Sequence, residues 1–185
     1  CASPLLPGVS MNSLNQHLFL LFNADAHASA FSIWLGRALA EWPAPIALLL
    51  VALACYRQSN RKLFALRALF ATALAMGLAL AIRCAFYNPR PFVLGLGRML
   101  IEHDATTSFP SFHATFLFSL ALPPLLAQRS TRGTALAVGL LGIGIAWARI
   151  FVGVHYPFDM AGAFVVSAIT AGAACAVFKR PNAKP

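Results

Sequence analysis

Charged side chains are scarce in this sequence. Only 10% of its 185 residues are Asp, Glu, Lys or Arg, where a soluble domain carries about a quarter. So thin a coat of charge cannot solvate a globular surface, which excludes an ordinary soluble domain. Cysteine is sparse too. Cys1, Cys55, Cys84 and Cys175 stand far apart, with no spacing that suits a metal. Most lie in apolar runs, where a small buried hydrophobe is expected rather than a disulfide. Internal repeats and low-complexity stretches are absent. So is an early basic stretch followed by a cleavable apolar core. Met11 reads as a native start, so residues 1–10 are taken as an upstream or added segment and 11–185 as one domain.

What fills the chain instead is hydrocarbon. The sequence is 59% hydrophobic, with a mean hydropathy of +0.74. Apolar residues must therefore cover the surface as well as the core, as in a membrane protein. The net charge of +9 invites a nucleic-acid reading. However, the basic residues sit between long apolar runs and form no solvated stripe, so the expected partners are membrane lipids and not nucleic acid.

About 20 apolar residues in a helix cross the hydrocarbon layer. Five stretches qualify, near 28–56, 63–87, 112–128, 133–151 and 157–178. The predicted fold is an all-α, polytopic transmembrane bundle of five spans. The first, overlong and carrying Pro43 and Pro45, is tilted, kinked or split in two, and a split makes six. Residues 14–22 are short and amphipathic and predict a helix lying in the interface.

Basic residues cluster at 57–67, 129–132 and 179–184, which places these regions in the cytoplasm. The connections near 88–110 and 152–156 then face outward, as does the N-terminus. Arg37 and Glu41, one turn apart in the first span, are expected to neutralise each other, with a place for Glu41 in the cavity as the alternative. Glu102, His103 and Asp104 form an outward polar patch that contacts a headgroup or is simply solvated.

Arg83, Arg90, His113, Arg149 and His155 all fall near outward helix ends, where ionisable groups are costly and mark a site. Arg83 and Arg90, seven residues apart in RCAFYNPRP, can converge on one phosphate or snorkel to headgroups. In SFPSFH, Pro110 suits the first turn of the third span, with Ser108 or Phe109 as its cap. That helix start is an anion site to which Ser111 adds a hydroxyl and His113 a titratable ring. In RIFVGVHYPFD, Asp159 lies four residues after His155. Its carboxylate can hold one imidazole nitrogen and leave the other free to attack phosphorus, or the pair can merely staple the turn.

In order and internal spacing, these three segments resemble the signatures KxxxxxxRP, PSxH and SRxxxxxHxxxD of the type 2 phosphatidic acid phosphatase superfamily. RPFV, LIEH and SFPSFH are similar to the bacterial undecaprenyl-diphosphate phosphatases within it. The resemblance implies catalysis by His155, His113 and Asp159: His155 as nucleophile through a phosphohistidine, Asp159 orienting it, and His113 as acid and then base. It implies phosphate binding by Arg83, Arg90, Arg149, Ser111 and the backbone N–H of Phe112. It further implies no metal or other cofactor, a polyprenyl diphosphate or other lipid phosphate as substrate, and a multi-pass protein of the bacterial inner membrane with its site facing the periplasm or exterior. Arg83 replaces the family lysine, Ala148 its serine, and Phe112 a position often held by glycine or aspartate. Lipid A, phosphatidylglycerophosphate and phosphatidic acid stay open as substrates, as do phosphotransfer and a non-catalytic lipid-binding or transport role. The vanadate-dependent haloperoxidases share the motif set but belong to a soluble class, against which the apolar spans argue.

Overall fold

The structure, a computed structural model, describes residues 11–178 apart from Ser59 and Gln128. The expectations for residues 1–10 and for the basic tail 179–185 lie outside the described residues. Those described form seven α-helices and no strand: α1 (Met11–Phe22), α2 (Ala30–Glu41), α3 (Pro43–Arg57), α4 (Arg61–Ala85), α5 (Phe112–Ala127), α6 (Arg132–Phe151) and α7 (Pro157–Val177).

Helix α5 is the centre of the bundle. Its residues 117–121 are all buried, so it presents no single apolar stripe, as expected for a helix enclosed by others. Around it pack α4, α6 and α7. Helix α4 approaches closely because Ala68, Ala71, Ala75 and Ala79 form a buried row of small side chains at helical spacing, which lets backbones come near each other. Hydroxyls tie the layers together. Ser167 Oγ donates to Thr115 O at 3.0 Å, and Ser119 Oγ donates to Thr72 Oγ1 at 3.2 Å.

The overlong first stretch is split, as its prolines predict. Chain direction turns by 49° between α2 and α3, with Pro43 opening α3 where its missing N–H costs nothing. Three helices, α4, α6 and α7, are long and apolar enough to cross a membrane, and the bent pair brings these candidates to four if it is one broken span and not a re-entrant loop. The third expected span, α5, has 16 residues. At about 1.5 Å per residue it is shorter than the hydrocarbon layer of about 30 Å.

Two features depart from expectation. Arg37 does not pair with Glu41: its Nε donates to the Leu100 carbonyl at 3.0 Å, because a distant loop brings an acceptor that local spacing cannot reveal. The other is α1, which is more than an interfacial segment. Phe19 is wholly buried and meets Tyr156 edge-on at 5.5 Å, and Asn15 Oδ1 accepts the Phe158 N–H at 3.0 Å. That fastens α1 to the start of α7.

At one end of the bundle Ser130 Oγ donates to Gln58 Oε1, and Arg67 Nε donates to the Phe178 carbonyl at 2.8 Å. Arg67 thereby caps the C-terminus of α7, the end that favours a cation. The loops predicted as cytoplasmic are thus gathered together, and the ends of α4 and α6 and the starts of α5 and α7 lie at the other end.

Candidate active site

Asp159 is the fixed point of that second end. It sits in the first turn of α7 with no exposed surface. Its Oδ2 accepts the Tyr156 N–H at 2.8 Å, which caps its own helix. Its Oδ1 accepts the Ser108 hydroxyl at 3.4 Å, and Ser108 in turn accepts Asn88 Nδ2 at 2.8 Å. The Asp159 carbonyl accepts the Ser111 N–H at 3.2 Å, so the entries to α5 and α7 are joined at this residue.

His155 is held from both sides. Its Nδ1 lies 3.0 Å from Asp159 Oδ2, and an ionised carboxylate can only accept, so Nδ1 carries the proton. Its Nε2 lies 3.1 Å from Arg90 Nη1. A guanidinium can only donate, so Nε2 carries the lone pair. Both neighbours select the same tautomer. The nitrogen expected to be free is therefore capped by Arg90, whose other donors go to the carbonyls of Val154 at 2.8 Å, Thr106 at 3.0 Å and Thr107 at 3.4 Å and to Thr106 Oγ1 at 3.3 Å. The ring is 1% exposed. Burial above all, then the Arg90 and Arg149 guanidiniums, with His103 and His113 behind them, hold its pKa well below the usual 6.5.

Arg149 and Ser111 are the unfinished parts. Arg149 is 3% exposed, and its Nε and Nη2 have no hydrogen-bond partner; neither has the buried Ser111 hydroxyl. Orphan donors on a buried cation are costly, and their chemistry suits an anion. His113 sits in the first turn of α5. Arg83 lies to one side, over the Phe112 ring at 4.5 Å. It donates to the Pro110 carbonyl at 3.1 Å and to Thr106 Oγ1 at 3.4 Å.

Every residue singled out for the site is thus at one end of the bundle. The second segment is built differently from expectation, however. Helix α5 begins at Phe112, with Ser111 accepting the first helical bond from the Thr115 N–H. Pro110 lies before the first turn, after a cis peptide, and Ser108 holds Asp159 instead of capping α5. Asn88, Thr106 and Thr107 were not foreseen. They fix Arg90, Arg83 and Ser108 through side chain and backbone. The polar run TTS directly before FPSFH was the available signal, in a loop with no periodicity to orient it.

The PAP2 superfamily profile matches residues 64–183. YbjG of Escherichia coli K12, provisionally named an undecaprenyl-diphosphatase, is 32% identical over 160 residues, which are 86% of this chain and 80% of that protein. The undecaprenyl-diphosphatase BcrC of Bacillus subtilis is 38% identical over 88 residues, 48% of this chain and 44% of its own length. Among solved structures, Aquifex aeolicus LpxE superposes with a TM-score of 0.73 at 23% identity, covering 91% of this chain and 98% of that one. A PAP2-type phosphatidylglycerolphosphate phosphatase from Bacillus subtilis gives 0.69 at 13% identity, covering 96% and 90%. These two likenesses concern the fold.

Proposed function

The chain belongs to the PAP2 superfamily and is a membrane lipid phosphatase; from that premise, we propose that it hydrolyses undecaprenyl diphosphate to the monophosphate through a phosphohistidine on His155. The observation that carries this is the imidazole fixed as one tautomer between Asp159 and Arg90, beside the unpartnered donors of Arg149 and Ser111. The choice of lipid is supported by the names of YbjG and BcrC.

In the first step Arg90 Nη1 passes from Nε2 to a phosphoryl oxygen. The Nε2 lone pair attacks the terminal phosphorus, and the bond to the bridging oxygen breaks with its electrons on the leaving lipid monophosphate. His113 supplies a proton where the leaving oxygen needs one. In the second step His113 takes a proton from water, whose oxygen attacks phosphorus. The P–N bond returns its electrons to His155, and phosphate departs. Arg83, Arg90, Arg149, Ser111 and the Phe112 N–H stabilise the transferring group by position and charge, the main demand of phosphoryl transfer. We read α5 as a fifth span, shielded by its neighbours. The site then opens on the outer side of the bacterial inner membrane, opposite the basic end.

A substrate panel tests the reading: undecaprenyl diphosphate, phosphatidic acid, phosphatidylglycerophosphate and lipid A, with phosphate release measured on wild type and His155→Ala. Preferential turnover of the diphosphate is expected, and equal turnover of all four rejects the polyprenyl assignment.

The depressed pKa of His155 has a sign that can be measured. Its imidazole stays neutral as pH falls through 6.5 and protonates only further down. The acid limb of kcat/KM, corrected for the substrate's own titration, is expected below pH 6.5. A limb at or above that value contradicts the assignment.

Arg83 and Phe112, both departures from the family pattern, act as a pair. A guanidinium stacks on a ring as an ammonium does not. Phe112→Leu is expected to raise KM between roughly twofold and thirtyfold, the range of a cation–π contact. Arg83→Lys is expected to cost less in the Phe112→Leu background than alone, and additive effects in this double-mutant cycle refute the coupling.

A further inference from the structure

The loop between α4 and α5 places a third histidine beside His155. Its path is pinned on both sides of that residue. Before it, the Leu100 N–H donates to the Val152 carbonyl at 2.9 Å, and the Asn23 side chain clasps Arg98 through its N–H and carbonyl. Gly153 makes this approach possible. Its φ is +86°, and a Cβ there would run into the Arg98 carbonyl. After the histidine, Thr106 and Thr107 accept from Arg90, and Ser108 donates to Asp159. The loop is therefore clamped onto the turn that carries His155, with His103 between the clamps.

The His103 ring faces the His155 ring edge-on, centroids 6.3 Å apart. That is an edge-to-face ring contact and too far for a hydrogen bond between them, so a bound group would lie beside the rings and not between them. His103 Nδ1 lies 3.1 Å from the Asp104 carbonyl, which can only accept. Nδ1 is thus the protonated nitrogen, and Nε2 is the end left without a partner among the described residues. The ring also borders an outward cavity of about 490 Å³ with Glu102 and Asp104. Both carboxylates are exposed, so solvent and salt screen them. None of the three signature segments includes His103.

A lipid diphosphate brings two phosphates to this end of the bundle. Arg83, Arg90, Arg149, Ser111 and the start of α5 serve the one that His155 attacks, Arg83 from its place against Pro110, Thr106 and the Phe112 ring. The group next to the nucleophile that is still free to become a cation is His103.

We propose that His103 binds the second, leaving phosphate of a lipid diphosphate through Nε2–H of its imidazolium, and so makes the site prefer diphosphates to monophosphates. The proposal rests on the diphosphatase reading above and names the residue that discriminates. Burial first, and then Arg90, hold the His103 pKa below 6.5, which favours the neutral ring. The incoming anion reverses that balance. One proton is taken from solvent as the diphosphate binds and is returned when the monophosphate leaves. His103 forms no covalent bond.

The test compares purified full-length wild type, His103→Ala and His103→Gln on farnesyl diphosphate and farnesyl phosphate, with pyrophosphate and phosphate as competing inhibitors. For His103→Ala, KM for the diphosphate is expected to rise about tenfold to a hundredfold, the worth of one charge-assisted hydrogen bond. Its kcat should stay within a few-fold, and the monophosphate KM within about twofold. Pyrophosphate inhibition should weaken in step while phosphate inhibition is unchanged, and His103→Gln should recover part of the loss through its amide donor. Unchanged monophosphate turnover doubles as the folding control. Equal losses on both substrates make His103 a prop for His155 and overturn the proposal, as does no loss on either. Should wild type show no preference for diphosphates, the diphosphatase reading fails by itself; the pyrophosphate arm then still decides whether His103 holds a second phosphate.

Discussion

His155→Ala is expected to lower kcat by about four orders of magnitude or more, as removal of a nucleophile does where positioning and charge are left to act alone. The variant keeps Arg90 on the Val154 and Thr106 carbonyls, and Asp159 still caps α7 through the Tyr156 N–H. Loss of turnover therefore reports chemistry and not collapse. Substrate labelled in the terminal phosphate should leave label on wild-type His155 and none on the variant. Asp159→Asn is the sharper companion. Asp159 Oδ2 accepts both the Tyr156 N–H and Nδ1–H, so an amide oxygen in its place keeps the tautomer and removes only the negative charge beside the imidazole. The loss is therefore expected to be smaller than that of His155→Ala, and a loss as large shows that the amide has turned its NH2 to Nδ1 and selected the wrong tautomer. Retained activity in His155→Ala, or label on another side chain, removes His155 from the nucleophile's place.

His113→Ala is expected to separate the two halves of the reaction, and the separation depends on the substrate. Cleaving a diphosphate expels a phosphate monoester, whose last proton has a pKa of about 6. That oxygen leaves without much help. Attack by water on the phosphohistidine, by contrast, has lost its base. The variant should release one equivalent of lipid monophosphate in a burst and then stall with phosphate on His155. Steady-state turnover should be down by about 10²–10⁴, the usual worth of a general acid–base. With a lipid monophosphate the leaving group is an alkoxide, the first step itself needs the proton, and no phosphoenzyme should accumulate. Rapid quench with labelled substrates reads both cases. A burst on neither substrate excludes His113 from the second step.

Much of this architecture was legible because hydrophobic length and helical period are local properties. The paucity of charge required a membrane protein, and Pro43 marked where the first stretch breaks. The spacing of His155 and Asp159 predicted a contact one helical turn long, which the structure makes at 3.0 Å. Contacts across distance were not legible. Arg37 prefers a carbonyl 63 residues away to a glutamate one turn along its own helix. Pro110 was placed inside α5 because proline suits a first turn, yet Ser111 is drawn to the Asp159 carbonyl and the helix starts one residue after it.

The sequence by itself determined the class of the protein and named the residues of its candidate site. Membrane helices follow from composition, and three motifs in fixed order name the arginines, histidines and carboxylate, since their spacing is covalent. Only the tertiary structure decided which atoms meet. It put Arg90 on the nitrogen of His155 that spacing left free, left Arg149 and Ser111 with donors to spare, and folded a loop without periodicity so that His103 stands edge-on to His155. Those placements depend on backbone carbonyls from Thr106, Val154 and Leu100 and on the close approach permitted at Gly153. No pattern of side chains records such partners until the chain is folded.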